Sequence, residues 1–139
     1  MDLERRGAGL RCTAEAVTLL DTNAVIWSLL GHPRSRPLAR LKGRRYVSPA
    51  TVLELQLLVE IGRIALKPRV AVADLLSAGA WLVDDLPSAS WFDEATDVGW
   101  TRDPFDRLIV AHAMMRGWRL ATGDSQMLEQ LGSRLTIEL

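Results

Sequence analysis

Short apolar runs alternate along this chain with longer segments of helical periodicity. Residues 17–20 (VTLL) read as a strand, and 22–30 continue as an apolar helix stopped by Gly31 and Pro33. The stretch to about Lys42 reads as a second helix, ended by Gly43, and Tyr46 and Val47 as a brief strand. Ser48-Pro49 is a strong helix start, with serine as the cap and proline in the first turn. That helix is expected to reach about Ile61 and end at Gly62. Further helices are expected over 69–80 and 88–97, with a short strand at 81–83 between them. Asp103-Pro104 repeats the cap-plus-proline signal and opens a helix to Met115 or Arg116, closed by Gly117. A strand at 118–121, a short helix at 125–131 and a strand at 135–137 complete the reading. Strands alternating with helices predict an α/β fold with a parallel, doubly wound sheet. There is no internal repeat, low-complexity segment or linker.

The chain has 139 residues, enough for one domain with a real core. Its 48% hydrophobic and 24% charged residues are ordinary globular composition. No apolar run reaches the ~20 residues of a membrane span. The first sixteen residues lack both usable periodicity and the apolar stretch of a signal peptide. They are expected to be a disordered tail, or an extension upstream of a true start at position 17, leaving 17–139 as the domain. Together with Cys12, a lone cysteine with no partner for a disulfide, this implies a cytoplasmic protein and no membrane.

Net charge is zero, so the overall field that steers a basic protein onto nucleic acid is missing. The charge is uneven, however. Arg34, Arg36, Arg40, Lys42, Arg44 and Arg45 crowd a stretch without acids. A solvated helix face is the ordinary explanation. A phosphate-contacting patch becomes the better one if an acidic metal site lies nearby.

Four acids stand where carboxylates are unusual, at the ends or inner faces of apolar segments: Asp21, Glu54, Asp106 and Asp124. In an open parallel sheet, functional groups gather beyond the carboxyl ends of the strands. Asp21 and Asp124 follow predicted strands directly or nearly so, although each could equally cap the helix after it. Glu54 shares its helical stripe with Ala50, Thr51, Leu57, Leu58 and Ile61, which points it towards the core side. Glu60 looks like that helix's ordinary solvent glutamate. Asp106 shares a stripe with Ile109, Val110 and Ala113, while Asp103 has the better claim to a cap and a supporting place at the rim. Singly, each acid is as readily structural as functional. Together they would repel strongly without a cation. Oxygen-only ligands suit Mg²⁺ or Mn²⁺ rather than Zn²⁺. Thr122 could orient a carboxylate or a bound water; a plain strand threonine is its bland reading.

These residues reach a known pattern. LLDTNAVIW at 19–27, SPATVLELQLLVEIGRI at 48–64, RDPFDRLIVAHA at 102–113 and LATGD at 120–124 resemble the PIN-domain ribonucleases, and among them the VapC toxins of toxin–antitoxin pairs. The first and third segments are specific; the others are weak alone. The resemblance covers position 17 onwards. It implies a three-layer α/β/α domain around a short-stranded central parallel sheet. It carries the family's acidic quartet onto Asp21, Glu54, Asp106 and Asp124, as catalytic groups and metal ligands, with Asp103 as the extra aspartate. Asn23 stands where many relatives have histidine, which leaves the acid set intact.

The resemblance also implies hydrolysis of RNA phosphodiesters (tRNA or rRNA), a VapB-like antitoxin placing a segment near the acids, and a homodimer. Mg²⁺, with Mn²⁺ substituting, would lower the pKa of a bound water and offset transition-state charge, with Glu54 the best-placed base. A second ion could arrive with substrate. Trp27 and Trp100 are candidates for base stacking, though core packing is the commoner fate of such residues.

Other readings are weaker. A haloacid-dehalogenase-type phosphatase needs a second acid where Asn23 stands and another where Leu128 stands. A receiver domain needs a late lysine, and none follows Lys67. A non-catalytic acidic pocket that binds a partner's basic segment is the main alternative. His32 and His112 are not spaced for zinc and read as structural or exposed.

Overall fold

The computed structural model describes residues 16–139. Its strands are β1 (Val17–Leu20), β2 (Arg44–Val47), β3 (Leu82–Val83), β4 (Arg119–Thr122) and β5 (Thr136–Glu138). Its helices are α1 (Thr22–Leu30), α2 (Arg36–Ala39), α3 (Pro49–Glu60), α4 (Val72–Ala78), α5 (Ser88–Thr96), α6 (Pro104–Arg116) and α7 (Ser125–Leu131), with a 3₁₀ turn at Pro33–Ser35. All strand pairings are parallel, in the order β3-β2-β1-β4-β5. The chain winds outwards from β1 through β2 to β3, then returns to place β4 on the other side of β1. The direction of winding therefore reverses between β1 and β4, where such folds open a crevice beyond the strands' carboxyl ends.

Side chains of a strand alternate between faces. Leu19 and Leu120 enter one core with Trp91, Ala95, Ile109, Val110 and Met127, from α5, α6 and α7. Their successors Leu20 and Ala121 enter the other with Ala24, Val25, Leu38 and Val72, from α1, α2 and α4. Helix α3 contributes Ala50 to the first core and Leu55 to the second. Two helical layers thus sandwich the sheet, and the three-layer α/β/α expectation is met.

Local chemistry explains most boundaries. Ser48 accepts from Ala50 N at 3.2 Å, and Asp103 from Phe105 N at 2.8 Å, each with proline following in the first turn. Gly31 and Gly117 close α1 and α6 in the left-handed conformation, at φ 63° and 66°.

Two expected helices differ. The one reaching Lys42 is only the 3₁₀ turn and the four-residue α2, because Leu38 alone among these residues is buried deeply enough to anchor it. The one over 69–80 begins at Val72, since Arg69 takes a positive φ of 68° and Asp74 binds Ala71 N at 2.8 Å. The expectations for residues 1–16 fall outside the described residues except for Ala16, whose carbonyl accepts from Arg44 N at 3.0 Å. Among the described residues, no helix is long and apolar enough to cross a membrane.

One ionic staple secures the edge strand β3. Asp84 accepts from His112 Nε2 at 2.7 Å and from Arg116 Nε at 2.8 Å and Nη2 at 3.2 Å. His112 is fully buried beside the Trp91 and Trp118 rings. Burial pushes its pKa below the ordinary histidine value despite the pull of Asp84. Burial thus favours the neutral ring, and its Nε2 lies in hydrogen-bond contact with Asp84 Oδ2. This makes His112 structural.

Candidate metal centre

Asp21 leaves β1 with its N–H still bonded to Ala121 O, at 3.1 Å. Its Oδ1 caps α1 by accepting from Ala24 N at 2.8 Å, and only 4% of the residue is exposed. Asp124 occupies the equivalent place beyond β4. Its Oδ1 accepts from Gln126 N and Met127 N, both at 2.9 Å, and its own N–H donates to Thr122 Oγ1 at 3.0 Å. Asp103 caps α6 through Oδ1, taking Phe105 N and Asp106 N. All three caps use Oδ1, so capping and ligation need not compete for one atom. The capping explanation and the functional one are compatible.

Glu54 and Asp106 enter from α3 and α6, and both are half-buried. Asp21, Thr22, Asn23, Glu54, Leu58, Asp106, Asp124 and Met127 line a pocket of about 120 Å³. Glu54, Asp103 and Asp106 form a tighter set, each offering a carboxylate oxygen within 4.8 Å of the others. The two groupings overlap at Glu54 and Asp106. Asp103, expected at the rim, stands inside the tighter set although it is solvent-exposed.

The electrostatics follow from this crowding. Burial raises the Asp106 carboxyl to about 7, and Asp103, Glu54, Asp124 and Asp21 all push it the same way. Burial raises Asp21 to about 6, with Asp124 adding to the rise; the Thr122 hydroxyl, Ala24 N–H and Arg34 oppose it. Glu54 is raised by burial and by Asp103 and Asp21, against a hydrogen bond from Thr22. Thr22 Oγ1 also lies 3.1 Å from Thr51 Oγ1 in a buried pair. A set of hard oxygen donors that disfavours its own ionisation fits a divalent cation such as Mg²⁺ or Mn²⁺.

Several residues escaped the sequence reading. Leu58 and Met127 wall the pocket, and Thr22 bonds Glu54. Leu58 lies one helical turn after Glu54 and Met127 three residues after Asp124, so their spacing carried the signal. Conversely, Leu57 and Ile61, which argued for an inward Glu54, are 39% and 57% exposed.

The basic stretch does not form one patch at the site. Arg34 reaches it: its guanidinium lies 4.1 Å from the Trp27 ring centroid and donates to Gly123 O and Leu139 O. Arg36, Arg40 and Lys42 are exposed on the way out. Arg44 pairs in register with Val17, at the far end of β1 from Asp21. At ~3.3 Å per residue, that is about 13 Å from the acids. Arg45 donates to Leu38 O and Leu41 O. Trp100 packs against the first core, and its carbonyl accepts from Gln126 Nε2 at 2.7 Å. His32 is exposed, and its Nδ1 accepts from Arg34 N at 3.1 Å.

The sequence profile of the PIN domain matches residues 18–132, and the chain belongs to the PIN-domain family, whose members are generally nucleolytic. No curated protein matches the sequence. Among solved structures, the chain is similar to a VapBC2 complex from Rickettsia felis bound to a promoter DNA fragment, at 16% identity and TM-score 0.62, covering 88% of this chain and 98% of that one. A toxin–antitoxin complex from Klebsiella pneumoniae gives 16% and 0.61, covering 88% and 99%. FitAcB from Neisseria gonorrhoeae is more alike in sequence, at 28% identity, with TM-score 0.50 and coverage of 78% and 88%. The first two likenesses, at such low identity, speak for the fold.

Proposed function

We propose that this protein is a VapC-type toxin: a Mg²⁺-dependent endoribonuclease, with Mn²⁺ as a substitute, restrained by a VapB-like antitoxin. The carrying observation is the gathering of Asp21, Glu54, Asp103, Asp106 and Asp124 in a nuclease fold, where burial first and the other acids second oppose ionisation of Asp106. Asp21, Asp106 and Asp124 would hold the cation, with Glu54 beside them and Asp103 completing the tighter set. When bound, the ion supplies charge neutralisation and a more acidic water. Thr22 and Thr122 orient Glu54 and Asp21 through their hydroxyls. Asp124 is fixed by the two α7 amides it caps. Glu54, held by Thr22 and already raised in pKa, is the group suited to take a proton from an attacking water.

RNA is the substrate the resemblance supports, with tRNA or rRNA the first to try. Shape and single-stranded loops would decide the choice. The antitoxin reading draws on the relatives solved as toxin–antitoxin complexes. A partner's arginine or lysine would satisfy surplus carboxylates as a cation does. The same resemblance extends the reading to a cytoplasmic homodimer.

The test is cleavage of total tRNA and rRNA by protein shown free of antitoxin, in Mg²⁺, Mn²⁺ or EDTA, with Asp106→Asn controlling for contamination. Site-limited, metal-dependent cleavage lost in the variant is expected. A folded wild-type protein inert with both metals would leave the acids as a pocket for a basic partner segment.

A further inference from the structure

Arg34 is an exposed cation at the edge of an acidic pocket, and its Nη2 is turned inwards onto the main chain. One face of its guanidinium lies over Trp27, 4.1 Å from the ring centroid. Nη2 donates to Gly123 O at 3.3 Å and to Leu139 O at 3.1 Å. Gly123 lies between Thr122 and Asp124, in the loop that carries the acid out of β4. Leu139 continues the β5 ladder through its N–H to Thr122 O, at 3.0 Å. One guanidinium therefore joins the segment after α1, the Asp124 loop and the end of β5.

Gly123 shows how closely these parts fit. A Cβ there would lie 2.4 Å from Arg34 Nη2 and 2.7 Å from the Trp27 ring, so any side chain would force them away. Its φ is not in the left-handed region, so a side chain here would act by displacing Arg34 and Trp27 rather than by straining the backbone.

We infer that Arg34, seated on Trp27, is a positioning residue that fixes the Gly123–Asp124 loop and so aims the Asp124 carboxylate at Asp21. Arg34 is solvent-exposed, and its Nη2 contacts give it an internal role beside the expected one on RNA phosphates. The cation and cleavage measurements below rest on the metal-nuclease reading; the exchange measurement does not.

Physics separates the alternatives by sign. Removing a positive charge beside an acidic pocket should, by Coulomb's law alone, tighten cation binding. Removing a clamp that orders a ligand should weaken it. In Arg34→Met, amide exchange across residues 123–127 of the cation-free protein is expected to rise about tenfold. Mn²⁺ affinity should fall about tenfold, the scale of losing a ligand's supporting partner. For RNA cleavage, kcat should fall while KM holds. Arg34→Lys keeps the charge but not the planar fork, and should fail to restore exchange protection. Gly123→Ala, with Arg34 intact, should move exchange and Mn²⁺ affinity in the same direction.

Unchanged exchange in both Arg34→Met and Gly123→Ala would overturn the inference. So would faster exchange with undiminished Mn²⁺ affinity, or a raised KM with a shallower salt dependence and unchanged kcat, the pattern of a phosphate contact. Wild-type protein that neither binds Mn²⁺ nor cleaves RNA would defeat the nuclease reading, while the exchange measurement would still decide the clamp.

Discussion

The molecule holds two gatherings of buried or half-buried ionisable groups, and they are built on opposite principles. Around Asp84, one carboxylate receives His112 Nε2 and the Nε and Nη2 of Arg116. Around Asp106, five carboxylates share a crevice. Their internal relief is main-chain amides, threonine hydroxyls and Arg34 at the pocket's edge. The first cluster is balanced within the chain and staples β3 to α6. The second is left in deficit by the fold. A balanced buried network supports structure, whereas an unbalanced one needs something from outside, which is how a site can be told from a staple.

The sharpest way to break this contrast is to neutralise one acid of the crevice. Asp106→Asn should abolish metal-dependent RNA cleavage while circular dichroism shows an intact fold. A folded variant cleaving at the wild-type rate would remove Asp106 from the site. The matching cut in the staple should do the reverse. Asp84→Ala leaves the buried His112 Nε2 without its partner and Arg116 with only the Asp85 carbonyl, and should cost about 2–3 kcal/mol in urea unfolding. Cleavage per folded molecule should persist.

Acidity offers a gentler discrimination. Asp106 and Asp21 are raised from 3.8 to about 7 and about 6, so the folded state holds their protons more tightly. Their contribution is complete below pH 3.8 and is lost as pH rises through 6 and 7. His112 works the other way. Its lowered pKa favours the neutral ring, so its contribution is complete above the ordinary 6.5 and is lost as pH falls. Comparing cation-free wild type with Asp106→Asn, the variant should gain in relative Tm as pH rises from 4 to 8. Saturating Mn²⁺, at ~100 Kd, should restore about 2.7 kcal/mol to the wild type at pH 8. A Tm difference that is flat with pH would show that neither burial nor its neighbours raise the Asp106 carboxyl. Smallest of all, Glu60→Ala removes an acceptor that, among the described residues, meets only Gln56 on the exposed face of α3. It should shift urea stability by less than about 0.5 kcal/mol and leave cleavage untouched.

The parts legible in the sequence were those fixed by neighbouring residues. Ser48-Pro49 and Asp103-Pro104 announced α3 and α6 because a cap and a proline act within one turn. Asp21 and Asp124 stood out because each follows a strand directly or nearly so, and parallel sheets gather their chemistry there. The staple was hidden, because nothing near Asp84 points to His112, 28 positions away. β3 itself is two residues long, with both side chains exposed, and offers little pattern to read. The basic stretch misled for a related reason. Its charges are contiguous in sequence, but β2 begins at the edge of the sheet opposite the acids, so the stretch leaves the site as it proceeds. Asp103 was legible as a cap and not as part of the tightest acid set, because only the approach of α3 to α6 brings Glu54 to it.

The strand order also bears on when, on the proposed nuclease reading, the site is complete during synthesis. Asp21 emerges early from the ribosome, while Asp124 follows β4, which must slot beside β1 after β2 and β3 have been laid down on its other flank. Such distant pairing is slow to form. A nascent chain interrupted before β4 carries Asp21, Glu54 and Asp106 without the strand that delivers the last acid. On the nuclease reading, truncated translation products are harmless, and an inhibitor has until the end of synthesis to arrive.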